Sequence, residues 1–114
     1  SQDSPATVNT TFASADDGFM VPSEFSLFQN YPNPFNPSTQ ISFDVPTTEF
    51  ITLRVYNLLG QDVQTIVNKS MVPGRYTVEW NGNDMLNNAV ASGVYFYELR
   101  GESFISRKKM LLIR

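Results

Sequence analysis

The chain has 114 residues, 17% of them charged, and a net charge of −3. That length suits one domain, and the charge leaves no basic surplus of the kind nonspecific nucleic-acid binding needs. The chain contains neither cysteine nor histidine. Disulfides, thiol chemistry and thiolate metal sites are therefore excluded, and the commonest general base is missing.

Residues 1–24 are rich in Ser, Thr, Ala and Asp and show no hydrophobic period. They read as a flexible linker, with the globular part, 25–114, beginning at Phe25. No apolar run approaches the ~18 residues of a membrane helix, and no signal peptide is visible. The chain opens at Ser1 without methionine, so it reads as a piece of a longer protein.

After a short apolar run at 25–28, Pro32, Pro34 and Pro37 fall within six positions. A residue before proline is pushed out of the α region, so Tyr31, Asn33 and Asn36 are expected to be extended. The run cannot be a helix or a central strand. It is a stiff entry loop, and Tyr31 and Phe35 are expected to fold onto the sandwich edge. Pro34-Phe35-Asn36-Pro37 also satisfies the PxxP pattern of polyproline ligands, but packing is the better reading.

Residues 39–45 alternate, with Ile41, Phe43 and Val45 on one face and Gln40, Ser42 and Asp44 on the other. In 50–56, Ile51, Leu53 and Val55 point inward. A turn at 57–60 leads to a fourth strand over 61–67. Residues 71–74 punctuate, and 75–80 place Tyr76, Val78 and Trp80 on one face. The polar loop 81–88 holds Asn81, Asn83 and Asp84, but the place an EF-hand gives to Glu holds Ser92, so the calcium pattern fails. Strands over 92–100 and 103–113 meet at the turn Gly101-Glu102. About seven short strands with turn signals every 8–12 residues specify an all-β antiparallel sandwich. Its expected core includes Ile41, Phe43, Leu53, Val55, Tyr76, Val78, Trp80 and Tyr97. Tyr76, Trp80, Tyr95 and Tyr97 could form a sugar-binding face if exposed, but a small sandwich needs buried aromatics. No Ser, Asp or Glu has a base to pair with, so no enzyme activity is expected.

Five blocks follow one another in the chain: 30–43 reads NYPNPFNPSTQISF, 55–63 VYNLLGQDV, 73–82 PGRYTVEWNG, 92–99 SGVYFYEL and 108–114 KKMLLIR. In this order they resemble the type A C-terminal sorting domains of the bacterial type IX secretion system. The motif positions are Asn30, Tyr31, Pro32, Asn33, Pro34, Phe35, Asn36, Pro37, Gly74, Tyr76, Trp80, Gly82, Gly93 and Tyr95. The second block, and the Trp80 and Gly93 blocks, are also similar to the immunoglobulin-like domain of flagellar hook-capping proteins. Two positions depart from the family pattern: Asn81 stands where Asp is usual, and Asn87 where glycine is usual. Asn tolerates left-handed backbone, so the loop is expected to keep its shape, while an acidic role at position 81 is lost.

The resemblance implies an immunoglobulin-like fold and an address label without cofactor, nucleic acid or small-molecule substrate. Its implied partners are an N-terminal cargo domain in the same chain and the outer-membrane translocon, shuttle protein and sortase of the type IX system. The implied route is through the periplasm to the cell surface or beyond. Recognition is expected at Lys108, Lys109, Met110, Leu111, Leu112, Ile113 and Arg114, where simple alternation half exposes an apolar run on an open edge. Losing the last four residues is expected to leave most of the fold. Processing is expected between Ala13 and Ser23, through Ser14, Ala15, Asp16, Asp17 and Gly18. In a bacterial family the glycosylation sequons at Asn9 and Asn68 are chance. A structural spacer and a carbohydrate-binding accessory module are the alternatives.

Overall fold

The computed structural model describes residues 21–114. Residues 1–20 of the expected linker, and with them positions 13–20 of the expected processing region, therefore lie outside the described residues, while Ser23 is exposed. Seven strands form: β1 (Ser26–Leu27), β2 (Thr39–Val45), β3 (Glu49–Tyr56), β4 (Asp62–Met71), β5 (Gly74–Trp80), β6 (Gly93–Arg100) and β7 (Ile105–Leu112). They build two antiparallel sheets, ordered β1-β2-β5 and β4-β3-β6-β7. The alternation of β2 and β3 decides the packing. Ile41, Phe43, Val45, Ile51, Leu53 and Val55 are all fully buried between the sheets, as a half-buried strand requires.

Six of the eight expected core residues are buried, but Tyr76 and Val78 are only half-buried. They belong to β5, whose one neighbouring strand among the described residues is β2, so no second strand there covers their outer flank. Tyr76 still stacks on Phe43, with ring centroids 5.6 Å apart. β4 runs on past Val67 to Met71. Its exposed Asn68, Lys69 and Ser70 lie beyond the strand expected over 61–67. On an edge strand, polar side chains blunt unwanted pairing. Asp44, on the polar face by alternation, is buried because Arg75 grips it in two parallel bonds of 2.7 and 3.0 Å. That hydrogen-bonded carboxylate raises the pKa of the Arg75 guanidinium.

Candidate functional site

One end of the sandwich gathers the proline loop, the 81–92 loop and the end of β7. Asn30 sets the proline loop. Its buried side-chain amide donates to Thr39 Oγ1 at 2.9 Å and to the Pro32 carbonyl at 3.1 Å. Its backbone N–H donates to Tyr97 Oη at 2.8 Å, and that hydroxyl donates to the Phe28 carbonyl at 2.7 Å. A phenol reaching from β6 thus satisfies two main-chain groups of the entry segment that have no ladder partner. The Tyr31, Asn33 and Asn36 peptide bonds to the prolines that follow are cis.

Phe35 is 2% exposed and packs against Trp80 (5.7 Å between centroids), which meets Tyr95 edge-on at 5.5 Å. Trp80 Nε1–H donates to the Asn83 carbonyl at 2.9 Å, and Tyr95 Oη–H to the Ala91 carbonyl at 2.6 Å. Three sequence motifs therefore meet in one aromatic cluster. Tyr31 does not join it and is 79% exposed. Its main chain pairs with Gln40 in an antiparallel bridge, which turns the ring toward solvent instead of onto the sandwich edge.

The end of β7 is not an open edge. Phe35 N–H donates to the Leu111 carbonyl at 3.0 Å, and Ile113 N–H to the Phe35 carbonyl at 2.9 Å. Leu111 N–H donates to Asn33 Oδ1 at 3.0 Å. The proline loop thus caps residues 111–113 on the side facing away from β6. Of the expected recognition residues, Met110 and Leu112 are core, at 1% and 0% exposure. Lys108 and Leu111 are half-buried, while Lys109 and Ile113 are exposed. Arg114 is tied down. Its Nη2–H donates to the Gly82 carbonyl at 2.6 Å and its Nε–H to the Val90 carbonyl at 2.7 Å. Its backbone N–H donates to Ser92 Oγ at 2.8 Å. Sequence reasoning missed this clamp because its partners are main-chain carbonyls, which leave no residue-type signal.

Gly82 sits at φ +74°, and a Cβ there would lie 2.7 Å from Arg114 Nη2 and 3.0 Å from the Pro37 carbonyl oxygen. Gly82→Ala is therefore expected to cost at least about 1–2 kcal/mol, from left-handed strain plus the displaced clamp. Chemical denaturation checks this, and Gly60→Ala, strained but sterically open at φ +79°, is the control that should cost less. Asn87, where the resemblance leads one to expect glycine, is also left-handed at φ 66°, so the loop keeps its turn.

Burial pushes the Tyr97 phenol up from 10.0 to about 12, against a smaller opposing effect of its bond with the Asn30 backbone. Burial also raises Tyr95, and the nearby Arg114 cation partly offsets that rise. For Tyr97 the folded state holds the proton more tightly than the unfolded state. The stabilisation is complete below the unfolded value near pH 10 and is lost as pH rises through about 12. The melting temperature is expected to fall across that window. Tyr97→Phe should flatten part of the fall, while lowering stability at neutral pH by about 1–3 kcal/mol through the unpaired Asn30 N–H and Phe28 carbonyl.

Two antiparallel sheets closed at one end by a proline loop and an aromatic cluster define an immunoglobulin-like β-sandwich module. The chain belongs to the secretion system C-terminal sorting domain family, whose model matches residues 29–113. It is accordingly a sorting signal of type IX secretion, and this implies export to the cell surface or the extracellular space. Solved structures of similar fold include latent PorU from Porphyromonas gingivalis, at TM-score 0.65 and 14% identity, covering 82% of this chain and 10% of that one. PorZ of the same organism, an essential surface component of its type IX system, gives TM-score 0.55 and 20% identity over 77% of this chain and 11% of that one. FlgD from P. aeruginosa gives TM-score 0.52 and 18% identity, over 80% of this chain and 66% of that one. The chain spans about a tenth of the length of PorU and PorZ. No curated protein matches it significantly.

Proposed function

We propose that this module is the address label of a cargo domain in the same chain, with no catalysis of its own. The outer-membrane translocon and a shuttle protein of the type IX system read it in the periplasm. A surface sortase then cuts between Ala13 and Ser23, N-terminal to the sandwich, and frees the cargo. The family match across 29–113 is the observation that carries this reading. Small polar residues around Gly18 support the cut site, because a protease needs extended, accessible backbone. N-terminal sequencing and intact mass of the released module in a native host test it. A new N-terminus beyond Thr39, inside the sandwich, would contradict it.

Within the stretch 108–114, the side chains free to meet a partner are those of Lys109 and Ile113. Lys109→Ala is expected to reduce export while changing stability by less than about 1 kcal/mol, as is usual for a surface charge. Arg114→Ala should lower both, since it opens the clamp on Gly82 and Val90. Export and melting temperature measured on the same variants separate the two. A Lys109→Ala protein that exports as well as wild type would remove that residue from the recognition surface.

A further inference from the structure

We infer that the outer face of the four-stranded sheet, along the upstream half of β7, docks an extended acidic segment of a partner protein. This rests on the reading of β7 as a recognition element, and it names the chemistry of what β7 meets. Three cross-strand rows make the face: Thr52, Arg100 and Ile105; Arg54, Glu98 and Arg107; Tyr56, Phe96 and Lys109. Their neighbours in sequence, Leu53, Val55, Tyr97 and Leu99, are fully buried on the inner face, so these side chains stand outward. Four of the chain's eight cations therefore share one face of a protein whose net charge is −3.

Across β3, β6 and β7 these rows hold a single carboxylate, Glu98, and it is already engaged; Asp62 of β4 extends the Tyr56 row at the edge of the sheet far from β7. It is 3% exposed and accepts from Arg100 Nη2 at 3.1 Å, with Arg107 Nη2 at 3.9 Å. Arg107 and Arg100 keep most of their side-chain surface, 61% and 57% exposed. The Arg107 guanidinium lies 5.9 Å from the centre of the Tyr56 ring, and Phe96 lies half-buried in the same row as Lys109. The face thus offers cations for carboxylates and aromatic surface for the residues between them.

The main chain narrows the partner to a peptide. Leu111 turns its outward N–H and C=O, and Ile113 its N–H, to the proline loop. By the same period of two, Ile105, Arg107 and Lys109 also point theirs away from β6. Among the described residues, only the Lys109 carbonyl of these has a partner, Gln29 Nε2 at 2.8 Å. An extended segment added here would continue the sheet from Ile105 to Lys109 and stop where the proline loop begins. Arg107 and Lys109 are two residues apart, about 6.8 Å along a strand. Acidic residues at alternate positions of the incoming segment match that repeat, and main-chain bonds supply affinity. A sugar or nucleic-acid polyanion would meet the cations but cannot form the ladder.

The test titrates the 15N-labelled 114-residue chain with an octapeptide of alternating Glu and Val, followed by amide shifts. Saturable shifts centred on Ile105, Arg107 and Lys109 are expected. Arg107→Gln with Lys109→Gln should weaken binding about tenfold or more, with the melting temperature lowered by no more than a few degrees, since Arg100 still holds Glu98. A peptide N-methylated at alternate residues keeps its charge but loses its ladder, and should bind about tenfold more weakly or worse. Absence of saturable shifts would overturn the inference. So would equal binding of the N-methylated peptide, or tighter binding of a heparin oligosaccharide or single-stranded DNA of equal charge. Export of the unaltered protein tests the sorting reading by itself, so failure of the one is told apart from failure of the other.

Discussion

Trp80→Ala is expected to cost about 3–5 kcal/mol of folding stability. The indole is 2% exposed and stands between Phe35 and Tyr95, at 5.7 and 5.5 Å between centroids. Removing it leaves a cavity lined by aromatic rings that cannot collapse without moving the proline loop. It also strips the Asn83 carbonyl of its indole donor, loosening the 81–92 loop. A domain of this size holds only about 5–15 kcal/mol in all, so the variant should unfold at much lower urea. Trp80→Phe should recover part of the loss, since it restores ring contact but not the hydrogen bond. A loss below about 1 kcal/mol for Trp80→Ala would mean that the aromatic cluster is not the core of this end.

Deleting Leu111–Arg114 is expected to destabilise the domain by a similar amount, at least about 3 kcal/mol. The sequence alone suggests that these residues can go with most of the fold intact. The structure argues otherwise. Leu112 is fully buried, Leu111 and Ile113 hold both main-chain groups of Phe35, and Arg114 clamps Gly82 and Val90. Removing four residues therefore unseats the proline loop and Trp80 together. Thermal melts of the truncated chain check this. A melting temperature within a few degrees of the full chain would show that the last residues are an appended tag. The deletion is consequently a poor probe of recognition, because export would fall with the fold. Lys109→Ala, which touches no core contact, is the sharper one.

The strands were legible wherever one face is buried. Ile41, Phe43 and Val45, and likewise Ile51, Leu53 and Val55, alternate strictly, and each set proved to be core. Legibility failed at the edges. Half-burial of Tyr76 and Val78 depends on β5 having one neighbour, which alternation does not reveal. Exposure of Tyr31 beside burial of Phe35 depends on two bridges, Tyr31 to Gln40 and Phe35 to Leu112, the second of which joins segments far apart in sequence. The Arg114 clamp and the proline cap on β7 are made largely by main-chain atoms, so residue types carry little trace of them. The charged outer face was written in the alternation of Glu98 with Arg100 and of Arg107 with Lys109. Its meaning needed the register that sets Arg54, Glu98 and Arg107 in one row.

The sorting role is tested most directly by export of a carried protein. Residues 1–114 would be fused behind a periplasm-directed fluorescent protein in a type IX-competent host, with the same fusion in a translocon-deficient strain as control. Fluorescence is expected at the cell surface or in the medium of the competent host and in the periplasm of the control. Fluorescence held in the periplasm of the competent host, with the fusion intact and folded, would contradict the sorting role.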